Sequence, residues 1–355
     1  MLGLTYGMEK NVKELQFFFT FLPFFAIMYD RKAEKGEASP GERGMERSFP
    51  PLGNISCGSR DRIFIRKRDI SKARCRSKCM YEFSLCVAPN GAEFFRCEAL
   101  SPCPHGFSTR RGGVSIHPDT ASLNLGLDFS DDEATVRRNL VLLGEAVGFD
   151  VATLVSVKQI HSDDVRTVTA AHAGLGYDRT ADFCCDGYVT RERGVTLGIR
   201  TADCVPILAA AIDDTGEPYV IGAFHAGWRG SVAGIAAKGV RKMLALGARA
   251  EHIRIALGPS IGPCCFEIDG RALEIFIDCM GEERTARFVV PSSKRTGYYD
   301  ADIHGINCAF LQDEGVDFSK IAKAGPCTCC RQDFFYSHRR NGTFRGSHLS
   351  VIRLP

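Results

Sequence analysis

Three apolar segments in close succession constrain this chain more than any other feature. VTLGIR (195–200) alternates in the manner of a half-buried strand, VPILAAAI (205–212) is apolar throughout and suits a buried one, and YVIGAF (219–224) follows a short polar turn. HIRIAL (252–257), residues 153–157 and residues 348–353 read as further strands. Helical spacing joins Val136, Leu140, Leu143 and Val147, with Ser130 and Glu133 placed ahead of them as a capping box. A second helix carries Val232, Ile235, Ala236, Val240, Met243 and Leu244 on one face, and Ile303, Ile306 and Phe310 mark a third. Strands and helices mix without strict alternation or internal repeats. The fold class is therefore α+β (mixed α/β), a single mixed-sheet domain flanked by helices over residues 88–355.

Residues 1–87 read as an N-terminal extension, disordered or arising from a misassigned start. The apolar run LQFFFTFLPFFAIMY (15–29) is shorter than the roughly 20 residues of a spanning helix and is interrupted by Pro23, so no membrane span is expected. A secretory signal or an anchor is the alternative for that run. Residues 31–56 suit a polar linker, and the basic run at 60–78 suits a solvated tail. Residues 1–100 hold 17 basic and 12 acidic side chains and residues 101–355 hold 28 and 30, for a total of +3. That balance makes no case for a nucleic-acid partner. The 16 cysteines include adjacent pairs (Cys184 with Cys185, Cys264 with Cys265, Cys329 with Cys330), which argues against a disulfide framework and for reduced thiols in a cytoplasmic protein.

Reactive side chains follow the strands. His161 in KQIHS, Cys204 in TADC and His225 in HAGWRG each come just past an expected strand, in three separate loops that one sheet can bring together. One thiolate and two imidazoles suit Zn²⁺, and three protein ligands leave a fourth position open, as catalytic sites do. A thiolate also suits copper. The same residues allow Cys204 to act as a nucleophile with His225 or His161 as its base. A Cys after a strand is also commonly a small buried hydrophobe. Spacing alone leaves these readings open. In STRRGGVS (108–115), Gly112 and Gly113 let the backbone approach something closely. Cys264, Cys265, Cys327, Cys329 and Cys330 read as buried or redox-sensitive thiols in preference to a second metal cluster.

The ordered set HGFSTRRGGVS, KQIHS, DGYVT, RTADCVPIL, HAGWRG, GPSIGPCCFEI and SHRRNG resembles the laccase-domain family, also called the polyphenol oxidase or purine nucleoside phosphorylase family. GPCCF and the CTCC to SHRRNG tail look closer to its eukaryotic laccase domain-containing members. The resemblance implies a mixed sheet of the cysteine hydrolase-like type and a zinc site on His161, Cys204 and His225, which would also be the catalytic residues. It implies phosphorolysis of adenosine, inosine, guanosine and methylthioadenosine, so that purine nucleosides and phosphate are the partners, with adenosine deamination as a side activity. Copper is the less favoured metal: a four-copper oxidase needs clustered His ligands, whereas this chain has 9 His and no HxH pair. For the phosphate that such chemistry requires, Arg110 is the first candidate for a bidentate clamp, with Arg229, Arg340 and Arg345 behind it. The step TFRG (343–346) departs from the family's Thr-Gly-Arg pattern and puts the equivalence of Arg345 in doubt. Asp186 and Asp203 are candidate acid–base groups, with a buried hydrogen-bonded carboxylate capping a loop as the equal alternative. Other functions compatible with these residues are a cysteine hydrolase or amidase acting on a peptide-like substrate, a copper-dependent phenol oxidase, and a non-catalytic metabolic scaffold.

Overall fold

The computed structural model describes residues 81–127 and 131–355; the apolar run at 15–29, the basic run at 60–78 and Ser130 lie outside them. Two six-stranded sheets organise this part of the chain. The first sheet runs, in spatial order, Phe83–Val87, Glu93–Cys97, His105–Ser108, His348–Arg353, Thr196–Thr201 and Leu154–Val155. The second runs Ile321–Lys323, Ile253–Leu257, Val205–Ile212, Pro218–Ala226, Gly187–Thr190 and Val165–Thr167. Parallel and antiparallel pairs occur in both, which makes this a mixed α/β fold.

The apolar run at 205–212 is explained by what covers it. Val205, Ile207, Ala209 and Ala211 pack into one core with Ile235, Val240 and Met243 of helix Ile235–Ala245 and with Ile303 and Ile306 of helix Ile303–Asp313. Leu208, Ala210 and Ile212 point into a second core shared with Phe107, Leu197, Ile199 and Ile352 of the first sheet. The strand is thus sandwiched between helices and a sheet. Each fully buried Val, Leu or Ile contributes roughly 1.5–3 kcal/mol there.

Several local expectations change in the structure. VTLGIR is not half-buried: Leu154 and Leu349 side chains lie against Gly198 on the face opposite Leu197 and Ile199, at 2.7 and 3.2 Å from where a Cβ would be. The strand expected at 153–157 shrinks to Leu154–Val155, because Ser156 N–H turns to the Leu175 carbonyl and Val157 N–H to the Tyr188 hydroxyl. Helix Glu133–Val147 is capped by Asp132, whose side chain accepts from Thr135 N–H. The helix expected after HAGWRG is two, Trp228–Val232 and Ile235–Ala245, separated at left-handed Gly234. Strand Phe83–Val87 lies within the segment assigned to the extension and pairs antiparallel with Glu93–Cys97 across a turn. A small three-stranded sheet (Glu267–Asp269, Tyr298–Ala301, Val289–Pro291) and helix Gly270–Met280 complete the body, with Phe276 stacked on Trp228 at 5.7 Å. No helix among the described residues is long and apolar enough to cross a membrane.

Candidate metal centre

Sheet register assembles the site. Val205 pairs with Ala226 and Pro206 with His225 in the antiparallel pair at the centre of the second sheet, so Cys204 enters beside His225. His225 is the penultimate residue of strand Pro218–Ala226 rather than a loop residue beyond it. On its other side, strand Gly187–Thr190 starts opposite Phe224, and His225 N–H donates to the Asp186 carbonyl at 2.7 Å. His161 arrives on the loop after Leu154–Val155 and has φ of 60°. The Nδ1 or Nε2 atoms of His161 and His225 and Cys204 Sγ offer three donors within 4.8 Å of one another. The imidazoles meet edge to face at 4.8 Å. His225 is buried, Cys204 half-buried and His161 exposed, so the cluster has a protein side and an open side.

Asp186 organises this group without belonging to it. Its fully buried carboxylate accepts from the backbone N–H groups of Ile160, His161 and Ser162, from Ser162 Oγ at 2.7 Å and from His225 Nδ1 at 2.7 Å. The bond to Nδ1 leaves Nε2 as the His225 donor for an ion. Of the two readings the sequence allows for Asp186, the geometry matches the buried loop-capping carboxylate, since its acceptor positions are taken by the loop and the imidazole. Asp203, at φ of 93°, is similarly committed: Thr328 Oγ1 donates at 2.6 Å, Ser337 Oγ at 3.0 Å and Arg339 N–H at 2.6 Å. His161 and Asp203 are the described non-glycine residues with positive φ, and both border the site, where unfavourable backbone conformations tend to collect.

The charges are mutually supporting. Burial alone would raise the Cys204 thiol, but the His225 charge and hydrogen bonds from His161 and His225 outweigh it and bring the pKa down to about 6. Burial would lower His225; Cys204 and Asp186 reverse that and lift it to about 9. Asp186, despite burial, falls to about 2 under the hydrogen bonds of His225 and Ser162. Before any metal is bound, the resting state is thiolate, imidazolium and carboxylate in a row.

The glycines of HAGWRG close the site. A Cβ on Gly227 would stand 2.7 Å from His161 Cδ2 and 3.4 Å from Cys204 Sγ. Those of STRRGGVS serve their own loop: a Cβ on Gly112 would meet the Gly91 carbonyl at 1.9 Å and one on Gly113 the Ser122 carbonyl at 2.3 Å. The close approach expected there is backbone against backbone.

The arginines separate. Arg110 donates Nε and Nη2 to the Ala121 carbonyl and Nη1 to that of Gln332, and lies 4.7 Å over the Tyr336 ring. Arg229 is exposed and stacks on Trp228 at 4.2 Å. Arg340 donates to the carbonyls of Thr328, Cys329 and Phe335. None of these bonds reaches the cluster. Arg345 donates Nη1 to the Gly346 carbonyl at 3.0 Å and to Ser347 Oγ at 3.2 Å; burial lowers its pKa, opposed by the negative charges of Asp203 and Cys204. The sequence places it with Arg229 and Arg340 among the weaker candidates, and TFRG leaves its family equivalence in doubt. Beside the His161 loop, a cavity of about 610 Å³ is lined by residues that include Val157, Lys158, Gln159, Tyr177, Phe183 and Arg200.

Fold and site together define a mixed-sheet α/β protein with a half-open thiolate–bis-imidazole centre backed by a carboxylate. The chain belongs to the family described as the multi-copper polyphenol oxidoreductase laccase, whose model matches residues 104–355. It is 36% identical over 254 residues to the purine nucleoside phosphorylase YlmD of Geobacillus stearothermophilus, covering 70% of this chain and 88% of that one. The crystal structure of YlmD from that organism superposes with a TM-score of 0.66 at 33% identity, over 74% of this chain and 96% of that one. The purine nucleoside phosphorylase LACC1 of Homo sapiens is 33% identical over 259 residues, 70% of this chain and 55% of LACC1. The adenosine deaminase RL5, from an unknown prokaryotic organism, is 32% identical over 252 residues, 69% of this chain and 92% of RL5.

Proposed function

We propose that this chain is a zinc-dependent purine nucleoside phosphorylase. It would cleave adenosine, inosine, guanosine and methylthioadenosine with phosphate, giving the purine and ribose 1-phosphate or its methylthio counterpart, with adenosine deamination as a side activity. The observation that carries this reading is the convergence of His161, Cys204 and His225 within 4.8 Å in a chain whose relatives bear the names of purine nucleoside phosphorylases and an adenosine deaminase. The donor set fits Zn²⁺: one thiolate and two imidazoles, with Asp186 fixing the tautomer of one imidazole and an exposed side for a substrate. Bound there, Zn²⁺ would supply a Lewis acid that polarises the reacting group. The copper-oxidase description of the family finds less support, since the triad provides two imidazoles and the second group of potential ligands is all thiol.

The chain's own residues would do the rest. Asp186 keeps the His161 loop and the His225 ring in place. Phosphorolysis needs a cation near the reacting sugar, because phosphate must be held while the C–N bond opens. Arg110 and Arg229 are the sequence's candidates for that task. Arg345 is a third candidate: its half-buried guanidinium donates to the Gly346 carbonyl and Ser347 Oγ, and the negative charges of Asp203 and Cys204 act on it. The test is Cys204→Ala, expected to lose one zinc per chain and turnover of inosine together; full activity in that variant would end the metal reading.

A cysteine hydrolase acting on a peptide-like substrate is supported by one arrangement, the Cys204, His225 and Asp186 relay, which has the order of a nucleophile, a base and an orienting carboxylate. Covalent trapping of Cys204 by an electrophilic substrate analogue, with activity indifferent to chelators, would favour it over the phosphorylase.

A further inference from the structure

We propose a second metal site, made of Cys264, Cys265, Cys327 and Cys330, which holds Zn²⁺ as a structural staple between two loops far apart in sequence. The sulfurs of these residues lie within 4.8 Å of one another, with Cys330 Sγ at 3.6 Å from Cys264 Sγ and 3.4 Å from Cys265 Sγ. With Zn–S bonds of about 2.3 Å, a tetrahedral four-thiolate site has sulfur–sulfur edges of about 3.8 Å. The four sulfurs therefore already occupy a volume of the right size. A disulfide accounts for this less well, because Cys330 faces two thiols at once and could bond only one of them. A cation uses all four.

The surroundings are built for a thiolate cluster. Gly262 N–H points at Cys327 Sγ, 3.2 Å away, the kind of backbone donor that stabilises a metal-bound sulfur. Zinc with four thiolates carries a net charge of −2. Lys294 Nζ donates to the Cys264 carbonyl at 2.7 Å, Arg339 Nη1 to that of Cys265 at 3.0 Å and Arg340 Nη1 to that of Cys329 at 2.8 Å, so positive charge sits on the backbone that presents the sulfurs. Cys264 and Cys330 are exposed and Cys265 and Cys327 half-buried, which gives an ion a path in. The two loops are already in register: Ser260 and Cys327 form a parallel bridge, and Thr328 N–H donates to the Ser260 carbonyl at 3.0 Å.

This reading takes these cysteines as ligands where the sequence favours unliganded thiols, and it gives them a task. Thr328, next to Cys327, donates its hydroxyl to the Asp203 carboxylate, and Ile261 N–H donates to the Asp203 carbonyl at 2.9 Å. Both stapled loops therefore hold the residue immediately before Cys204. The closed four-thiolate site is structural, in contrast to the half-open His161, Cys204 and His225 group.

The test is elemental analysis of the purified full chain reconstituted with zinc. Wild type should hold two zinc ions per chain. Cys264→Ser with Cys330→Ser should lose one of them, and Cys204→Ala should lose the other, so that failure at one site is distinguishable from failure at the other. As a measurement that needs no variant, the four thiols of the wild-type chain should resist alkylation when zinc is present and all react once it is chelated. Two zinc ions retained in the double variant, alkylation of the four thiols that ignores zinc, or a native disulfide mapped to Cys330 would each overturn the proposal.

Discussion

Asp186 accepts hydrogen bonds from three backbone N–H groups, one hydroxyl and His225, and this concentration sets the chemistry of Cys204 two contacts away. A carboxylate in that position stabilises the imidazolium, and the imidazolium stabilises the thiolate. In the metal-free protein Cys204 should therefore be alkylated by iodoacetamide with a rate that rises with pH to half its maximum near pH 6, far below the usual thiol value of 9.0. The sign follows from the depressed pKa: the thiolate persists above the midpoint and is lost as pH falls through it. Asp186→Asn should move the midpoint upward, and an unchanged profile would contradict the relay. His161, Cys204 and His225 were legible in the sequence as three reactive residues beside strands. That Asp186 caps a loop was one of two readings open for it, but its partners were not legible, because they lie 24 to 39 residues away and only the sheet brings them together. Arg110 was attractive as a clamp for its neighbouring glycines, yet those glycines accommodate Gly91 and Ser122.

At the scale of elements, the strands that were easiest to read are those buried on both faces. Val205–Ile212 and Ile253–Leu257 come within a residue of their apolar runs, because helices and a second sheet cover nearly every position, half-buried Arg254 excepted. Edge strands carry no such demand. Phe83–Val87 leaves Leu85 39% and Val87 65% exposed, so its sequence reads as a tail rather than as part of a sheet. Leu154–Val155 is buried but short, because pairing ends where Ser156 turns away. The thiol cluster is visible in the sequence as a set of cysteines, but which of them meet is not, because Cys330 lies 65 to 66 residues from the two thiols it faces. The junction of strand Pro218–Ala226 with helix Trp228–Val232 is the tightest point of the site. Gly227→Ala should force the His161 ring away and weaken zinc binding by about 10- to 100-fold, the usual effect of disturbing what orients a ligand. Zinc titration of the purified variant checks this, and wild-type affinity would show that the loop gives way freely.

At the scale of the whole molecule, the two large sheets and their helices bring together, among the described residues, the loop residues His161 and Cys204 and the strand residue His225 at one end of the second sheet. The strands are locked by hydrophobic cores on their two faces, while His161 and the open side of the cluster face solvent. That division, a rigid frame and an accessible centre, suits an enzyme that must exchange a nucleoside and a phosphate at each turnover. The central claim is tested most directly by chromatography of the products formed when zinc-loaded full-length protein is incubated with inosine, with and without phosphate. Hypoxanthine and ribose 1-phosphate in equal amounts, formed when phosphate is present, are the predicted result. Hypoxanthine formed equally well without phosphate, or no product from protein with zinc verified as bound, would contradict it.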